Sequence, residues 1–134
     1  MKIYITAPFK GKENKEAIEK LCNTIKETGL EEFCFIRDME KYEPIFADPQ
    51  ELMKKAEEEL IKCDLLLIEA SQKTSTGCTI EAGMAYAIKK PIVIIARTGS
   101  EISKTLLWIS SIVIEYKELS DIINPLKNYY LSLK

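Results

Sequence analysis

The 134-residue sequence contains no histidine. That absence excludes Ser-His-Asp and Cys-His nucleophilic catalysis, and every metal site that relies on imidazole. Acid–base or nucleophilic chemistry must then come from carboxylates, Tyr, Lys, Ser/Thr or Cys. Cysteine is sparse as well: Cys22, Cys34, Cys63 and Cys78 are scattered without CxxC spacing, so no zinc frame is present. The first three lie among apolar residues and read as reduced core. Cys78 falls in a polar stretch read as a loop, where a thiol would be accessible. Only five glycines occur, and neither a GxGxxG nor a P-loop pattern is found, which argues against dinucleotide and ATP sites of those types. No apolar run approaches the roughly 20 residues of a membrane span. The opening "MKIYITAPF" is too short in its apolar part for a secretory signal. A net charge of −2, with both signs interspersed, gives no general case for a nucleic acid polymer or a membrane surface. Nothing calls for a metal or a cofactor.

What is present describes a folded chain. Hydrophobic residues make up 46% and charged residues 30%, and the length suits one domain spanning 1–134 in the cytoplasm. Strand and helix patterns alternate. Apolar runs at 2–7 ("KIYITA"), 33–36 ("FCFI"), 64–70 ("DLLLIEA"), 91–96 ("PIVIIA") and 111–116 ("SIVIEY") predict five strands. The runs at 64–70 and 91–96 are apolar throughout, as strands covered on both faces are. A helical stripe runs from Glu13 to Thr28 with Gly29 as its stop. Asp48-Pro49 reads as a cap and first helical residue, with Leu52, Met53, Ala56 and Leu60 facing inward. Further helices are predicted after 75–79, at 101–109, and at the C-terminus, where Pro125 is expected to kink or divide the last one.

Alternation of this kind predicts an α/β fold: a flavodoxin-like, doubly wound parallel sheet of five strands in the order 2-1-3-4-5. Ligands in such sheets sit beyond the carboxyl ends of strands 1 and 3, where the winding reverses. The loops there are "APFKGK" and "SQKTSTGCT". They offer Lys10, Gly11 and Lys12 on one side, and Ser71, Thr74, Ser75 and Thr76 with Gly77 on the other. Glu81 stands at the head of the helix leaving the second loop, with no other charge until Lys89. A glutamate in a helix's first turn ordinarily complements the helix dipole, worth about 0.3–1 kcal/mol. Aimed at the crevice, it can also stabilise or trap an oxocarbenium-like sugar carbon while the polar loop holds a phosphate. Gly83 two residues on, with Ala82, Ala85 and Ala87, would let the helix lie close to the sheet or leave room for a ligand.

These residues resemble the nucleoside 2-deoxyribosyltransferase family, which includes 2′-deoxynucleoside 5′-phosphate N-hydrolases and CMP N-glycosidases. The likeness is sharpest in "KIYITAPF" and in "CDLLLIEASQKTSTGCTIEAGMAYAIKKPIVII", with its S-x-G-x-x-x-E-x-G loop and K-P before the next strand. The resemblance implies Glu81 as the nucleophile attacking C1′ of the sugar and Tyr4 as the residue orienting it. It implies Ser75 as a 5′-phosphate contact, and Thr105 (less readily Ser103) as a hydroxyl supplied by a neighbouring subunit in a homodimer or larger homo-oligomer. Pro8, Phe9, Lys10 and Gly77 would complete the binding loops. One departure stands out. The family's aspartate on the helix before strand 3 is replaced by Ala56, which leaves Glu57, Glu59, Asp38 or Glu40 as candidates for its work. The implied substrate is a small nucleoside or nucleotide. The expected reaction is N-glycosidic cleavage resolved by water or by a second base, with the hydrolase slightly favoured. The alternative is a non-catalytic nucleotide-binding module on the same fold. A flavin-binding or response-regulator-like domain fits less well: the loops lack an aromatic pair for a flavin and a phospho-acceptor acidic cluster.

Overall fold

The apolar runs do become the strands of one sheet. In the computed structural model, which describes residues 1–10, 13–39, 42 and 48–134, the strands are β1 (Lys2–Thr6), β2 (Glu31–Cys34), β3 (Leu65–Glu69), β4 (Ile92–Arg97) and β5 (Ile112–Tyr116). All neighbours pair in parallel, in the order β2-β1-β3-β4-β5, the flavodoxin-like arrangement expected. Tyr4 pairs with Phe33 on one side and Leu66 on the other. Leu65–Ile68 and Ile92–Ile95 are fully buried, which accounts for their unbroken apolar sequence.

Helices α1 (Lys15–Lys26) and α6 (Ile123–Ser132) cover one face; α3 (Pro49–Lys62), α4 (Thr76–Ala87) and α5 (Lys104–Ile109) cover the other. A short α2 (Phe35–Asp38) follows β2. Because strand side chains alternate, Ile3 and Ile5 join the core under α1, while Tyr4 joins the core under α3 and α4. Asp48 caps α3 as expected, accepting the Gln50 N–H at 2.9 Å. Gly29 ends the α1 region at φ 81°, a conformation costly for other residues. Among the described residues, no helix is long and apolar enough to cross a membrane.

Three boundaries differ from expectation. The second strand begins at Glu31 and ends at Cys34, so Phe35 and Ile36 are helical instead of extended. Asp38 causes the turn: it accepts the Cys34 N–H at 2.9 Å and pairs with Arg37, which also reaches the buried Glu32 carboxylate. Pro125 neither kinks nor divides α6. It lies in that helix's first turn, where no intrahelical donor is lost, after a 3-10 turn at Leu119–Ile122 closed by Glu118 and Asp121. Finally, α4 starts at Thr76, which puts Cys78 inside the helix and Glu81 in its second turn. The Cys78 thiol is buried and not in an accessible loop.

Candidate active site

The later position of Glu81 changes its meaning. Dipole stabilisation fades beyond the first turn, so a carboxylate in the second turn is poorly explained by it. Cys78, Ala82 and Ala85 mark the face of α4 that packs on the sheet, and Glu81 lies on the same side, with Oε2 fully shielded from solvent. Tyr4 points up at it from β1. The phenol is completely buried and makes no hydrogen bond of good geometry among the described residues. Burial first, then the charge of Glu81 and hydrogen bonding to it, drive the Tyr4 pKa far above its ordinary value. The phenol therefore stays protonated and presents a donor to the carboxylate.

Beside this pair, a small polar cluster ties β1 to the start of α4. The Thr6 hydroxyl donates to Cys78 Sγ at 3.0 Å, and the Ser75 hydroxyl donates to the same sulfur at 3.2 Å. Ser75 Oγ in turn accepts the Cys78 N–H at 3.2 Å, the helix cap. Burial raises the Cys78 pKa and outweighs these two hydroxyl bonds, so the thiol is kept neutral. Thr6 is not singled out from sequence, and Cys78 reads there only as an accessible thiol, since only the contact of strand with helix reveals their pairing.

The remaining candidates are spread out. Lys10 is exposed, and its N–H donates to Asn14 Oδ1 at 2.8 Å, while Asn14 Nδ2 donates to the Pro8 carbonyl at 2.5 Å. Asn14 thus holds the β1–α1 loop closed, a role its position before a helix only hints at. Phe9 turns from the pair and packs on Tyr42, with ring centroids 5.8 Å apart. Gly77 is exposed, and a Cβ there would meet only Ser75 Oγ, at 3.8 Å. Gly83 faces away from the sheet, with nothing within 4 Å of an added Cβ, so it does not bring the helix and sheet together. Thr105 is exposed on α5, on the α3/α4 face, and is not joined to the Glu81 pair. Gly11, Lys12 and Glu40 lie outside the described residues.

Among the described residues, none of the candidate acids stands in for the carboxylate that Ala56 lacks. Ala56 is 4% exposed and packed into the core with Tyr4 and Ala82. Asp38 is committed to Arg37 and the Cys34 N–H; although burial opposes it, these partners pull its pKa below the usual carboxylate range. Glu59 pairs with Lys62 at 3.3 Å, and Glu57 lies on a shallow outer groove with Met53 and Met84. Among the described residues, no three potential ligands are grouped to hold a metal ion.

A deeper cleft of about 370 Å³ opens on the opposite, α1 side of the same sheet edge. Pro8 and Lys10 line it; Tyr4, Phe9, Ser75, Gly77, Glu81 and Thr105 do not.

The fold is shared with solved structures. It is similar to a CMP N-glycosidase from Clostridium botulinum at 22% identity and TM-score 0.69, over 96% of this chain and 99% of that one. It is similar to a 2-deoxyribosyltransferase from Bacillus psychrosaccharolyticus at 21% identity and TM-score 0.75, over 92% and 91%. A conserved protein from Enterococcus faecalis reaches TM-score 0.82 at 14% identity, over 96% and 98%. No curated protein sequence matches the chain. Residues 3–123 match the model of the nucleoside 2-deoxyribosyltransferases, and with Tyr4 and Glu81 both inside that span the chain belongs to the nucleoside 2-deoxyribosyltransferase family.

Proposed function

We propose that the protein, acting as one domain in the cytoplasm, cleaves the N-glycosidic bond of (deoxy)nucleosides or their 5′-monophosphates. Glu81 attacks C1′ of the sugar; the C1′–N bond breaks and its electron pair leaves with the base, which takes up a proton. A glycosyl ester on Glu81 results. Water then attacks C1′, loses a proton and releases the free sugar with Glu81 restored, or the nitrogen of a second base attacks and completes a transfer. Tyr4 orients the carboxylate in the first step. Ser75 and Lys10 are suited to a 5′-phosphate and favour the hydrolytic branch, with Pro8, Phe9 and Gly77 shaping the loops around the ligand. The reading rests on one observation: a fully buried phenol in the middle of β1 set against the half-buried carboxylate of Glu81 on α4.

Chromatography of the protein with a panel of deoxy- and ribonucleosides and their monophosphates, with and without free base, tests it. Base release or exchange that disappears in Glu81→Gln is the expected result. Absence of turnover, with one nucleotide bound equally by both proteins, would instead support a binding module. The buried Ala56 is the observation that favours this second reading.

The proposed assembly is a homodimer or larger homo-oligomer in which a neighbour supplies Thr105. Its support is exposed apolar surface on the α3/α4 side: Trp108 is 78% exposed on α5 and Ile80 is 44% exposed on α4.

A further inference from the structure

We propose that the cleft on the α1 side of the sheet is a second, non-catalytic site that binds a pentose 5-phosphate. The choice of sugar rests on the function proposed above, because hydrolysis of a nucleotide leaves that product; the presence of a site does not. The cleft spans the carboxyl ends of β1, β3, β4 and β5, and its volume of about 370 Å³ falls within the range of small-molecule pockets. The sheet separates it from the Glu81 pair: Tyr4 faces α3 and α4, whereas Tyr116 belongs to the core under α1.

One wall is a fixed polar device. Tyr116 donates its hydroxyl to Glu69 Oε2, and the Ser71 N–H donates to Glu69 Oε1 at 2.5 Å. Ser71 Oγ accepts the Arg97 N–H at 2.8 Å and lies 3.4 Å from the Tyr116 hydroxyl. Neither half of this network is needed to pair the strands. Together they hold a half-buried carboxylate in one orientation at the cleft wall. A carboxylate has about four acceptor positions, so roughly two remain for donors on a ligand. Burial, followed by the hydrogen bond to Glu69, raises the Tyr116 pKa and keeps that donor in place.

The other wall and the rim carry both signs, with cations in the majority. Lys10, Lys20, Arg97 and Lys117 line the cleft, against Glu13 and Glu118 in addition to Glu69. Among the described residues, no ion pair ties any of these side chains, and the Arg97 guanidinium lies over the Tyr116 ring at 5.6 Å. The combination selects a ligand with two unlike ends. A phosphate answers the cations, and sugar hydroxyls answer the oriented carboxylate. A small ligand that is anionic throughout would meet Glu69, and a neutral sugar would forgo the cations.

The cleft also shares parts with the proposed active site. Pro8 and Lys10 belong to the loop leaving the strand of Tyr4, and Ser71 opens the segment that leads to Ser75 and α4. A bound sugar phosphate therefore braces both loops from behind, so the product of the reaction acts on the site that makes it.

Isothermal titration of the Glu81→Gln protein with ribose 5-phosphate, inorganic phosphate and ribose tests the proposal. The expected result is one ribose 5-phosphate per chain, with ribose and phosphate each binding at least about tenfold more weakly. Ser75→Gly leaves the affinity unchanged. The double variant Arg97→Gln/Lys117→Gln, altered at two exposed side chains and checked by its melting temperature, weakens it about tenfold. Loss of binding in Ser75→Gly without loss in the double variant would move the ligand to the Glu81 crevice and overturn the proposal. Inorganic phosphate binding as tightly as the sugar phosphate, or no binding at millimolar concentration, would overturn it too. Base release is measured separately on the wild-type chain. Its absence would defeat the glycosidic reading and leave a cleft that binds sugar phosphate standing.

Discussion

Tyr4 carries a buried hydroxyl whose main neighbour is a charge, and that sets what Tyr4→Phe must do. A hydroxyl without a well-formed bond contributes little to folding, so unfolding in urea is expected to change by no more than about 1 kcal/mol. The kcat for base release is expected to fall about tenfold, since Glu81 loses its orienting donor. The alkaline limb supplies a second readout. The folded-state pKa of Tyr4 lies above its unfolded value of 10.0, so its contribution to stability is complete below pH 10. It is lost as pH rises further, because the unfolded chain releases the proton first. Tyr4→Phe therefore shows a shallower loss of stability above pH 10. Unchanged turnover in the variant would remove Tyr4 from the mechanism. Ser75 separates in a similar way. Ser75→Ala loses the cap, about 1 kcal/mol, whereas Ser75→Gly keeps most of it. Both variants are expected to raise KM for monophosphates about tenfold and to leave nucleosides unaffected; a rise for nucleosides as well would show that Ser75 acts only through the helix. Glu81, Tyr4 and Ser75 are proposed from the sequence because they stand in the stretches that carry the family resemblance, and the structure sets Tyr4 against Glu81. The burial of Cys78 against Thr6 was not legible there, because a hydroxyl's partner across 72 residues has no local signature, and the loop contacts of Asn14 are only hinted at by its place before a helix.

Among the elements, α3 poses the sharpest question. Its inward stripe reads correctly from spacing at Leu52, Ala56 and Leu60, whereas Met53, expected to face inward, lines the outer groove; the same stripe carries alanine where the family carries an acid. Ala56→Asp would set a carboxylate into the core that also holds Tyr4, at a cost of about 2 kcal/mol or more in stability. If the missing acid limits protonation of the leaving base, the variant releases base about tenfold faster in spite of its lower melting temperature. Equal or slower release would assign that proton to another donor. The helix and strand types were legible from periodicity. The turn at Phe35–Asp38 was not: an apolar run of four residues fits a strand, and only the Asp38 bond to the Cys34 N–H closes it as a helix. Likewise Pro125 reads as a breaker until the 3-10 turn before it shows that α6 starts there.

For the whole molecule, α4 explains the uncharged stretch around Glu81 in a way that a single chain does not. Between Thr76 and Ala87 the helix carries only that one charge. Cys78, Ala82 and Ala85 face the sheet, but Ile80, Gly83 and Ala87 face outward and are exposed. A helix apolar on every side is ordinarily a buried one. A second copy of the chain against this face would bury it, and the bare surface at Gly83 would admit a neighbouring backbone closely. The flanking α5 adds Leu107 and Trp108, 40% and 78% exposed. Gly83→Lys isolates this interface. Within one chain the substitution meets no atom, and replacing glycine in a helix interior raises stability by about 0.5–1 kcal/mol. Sedimentation velocity at micromolar concentration is expected to show a dimer or larger assembly for the wild-type chain and a monomer for Gly83→Lys, with base release lost alongside Thr105 of the neighbour. A wild-type monomer would show that the outward face of α4 is not a self-association surface. A Gly83→Lys assembly of unchanged size would move the contact to another face and leave Thr105 without a route to the substrate.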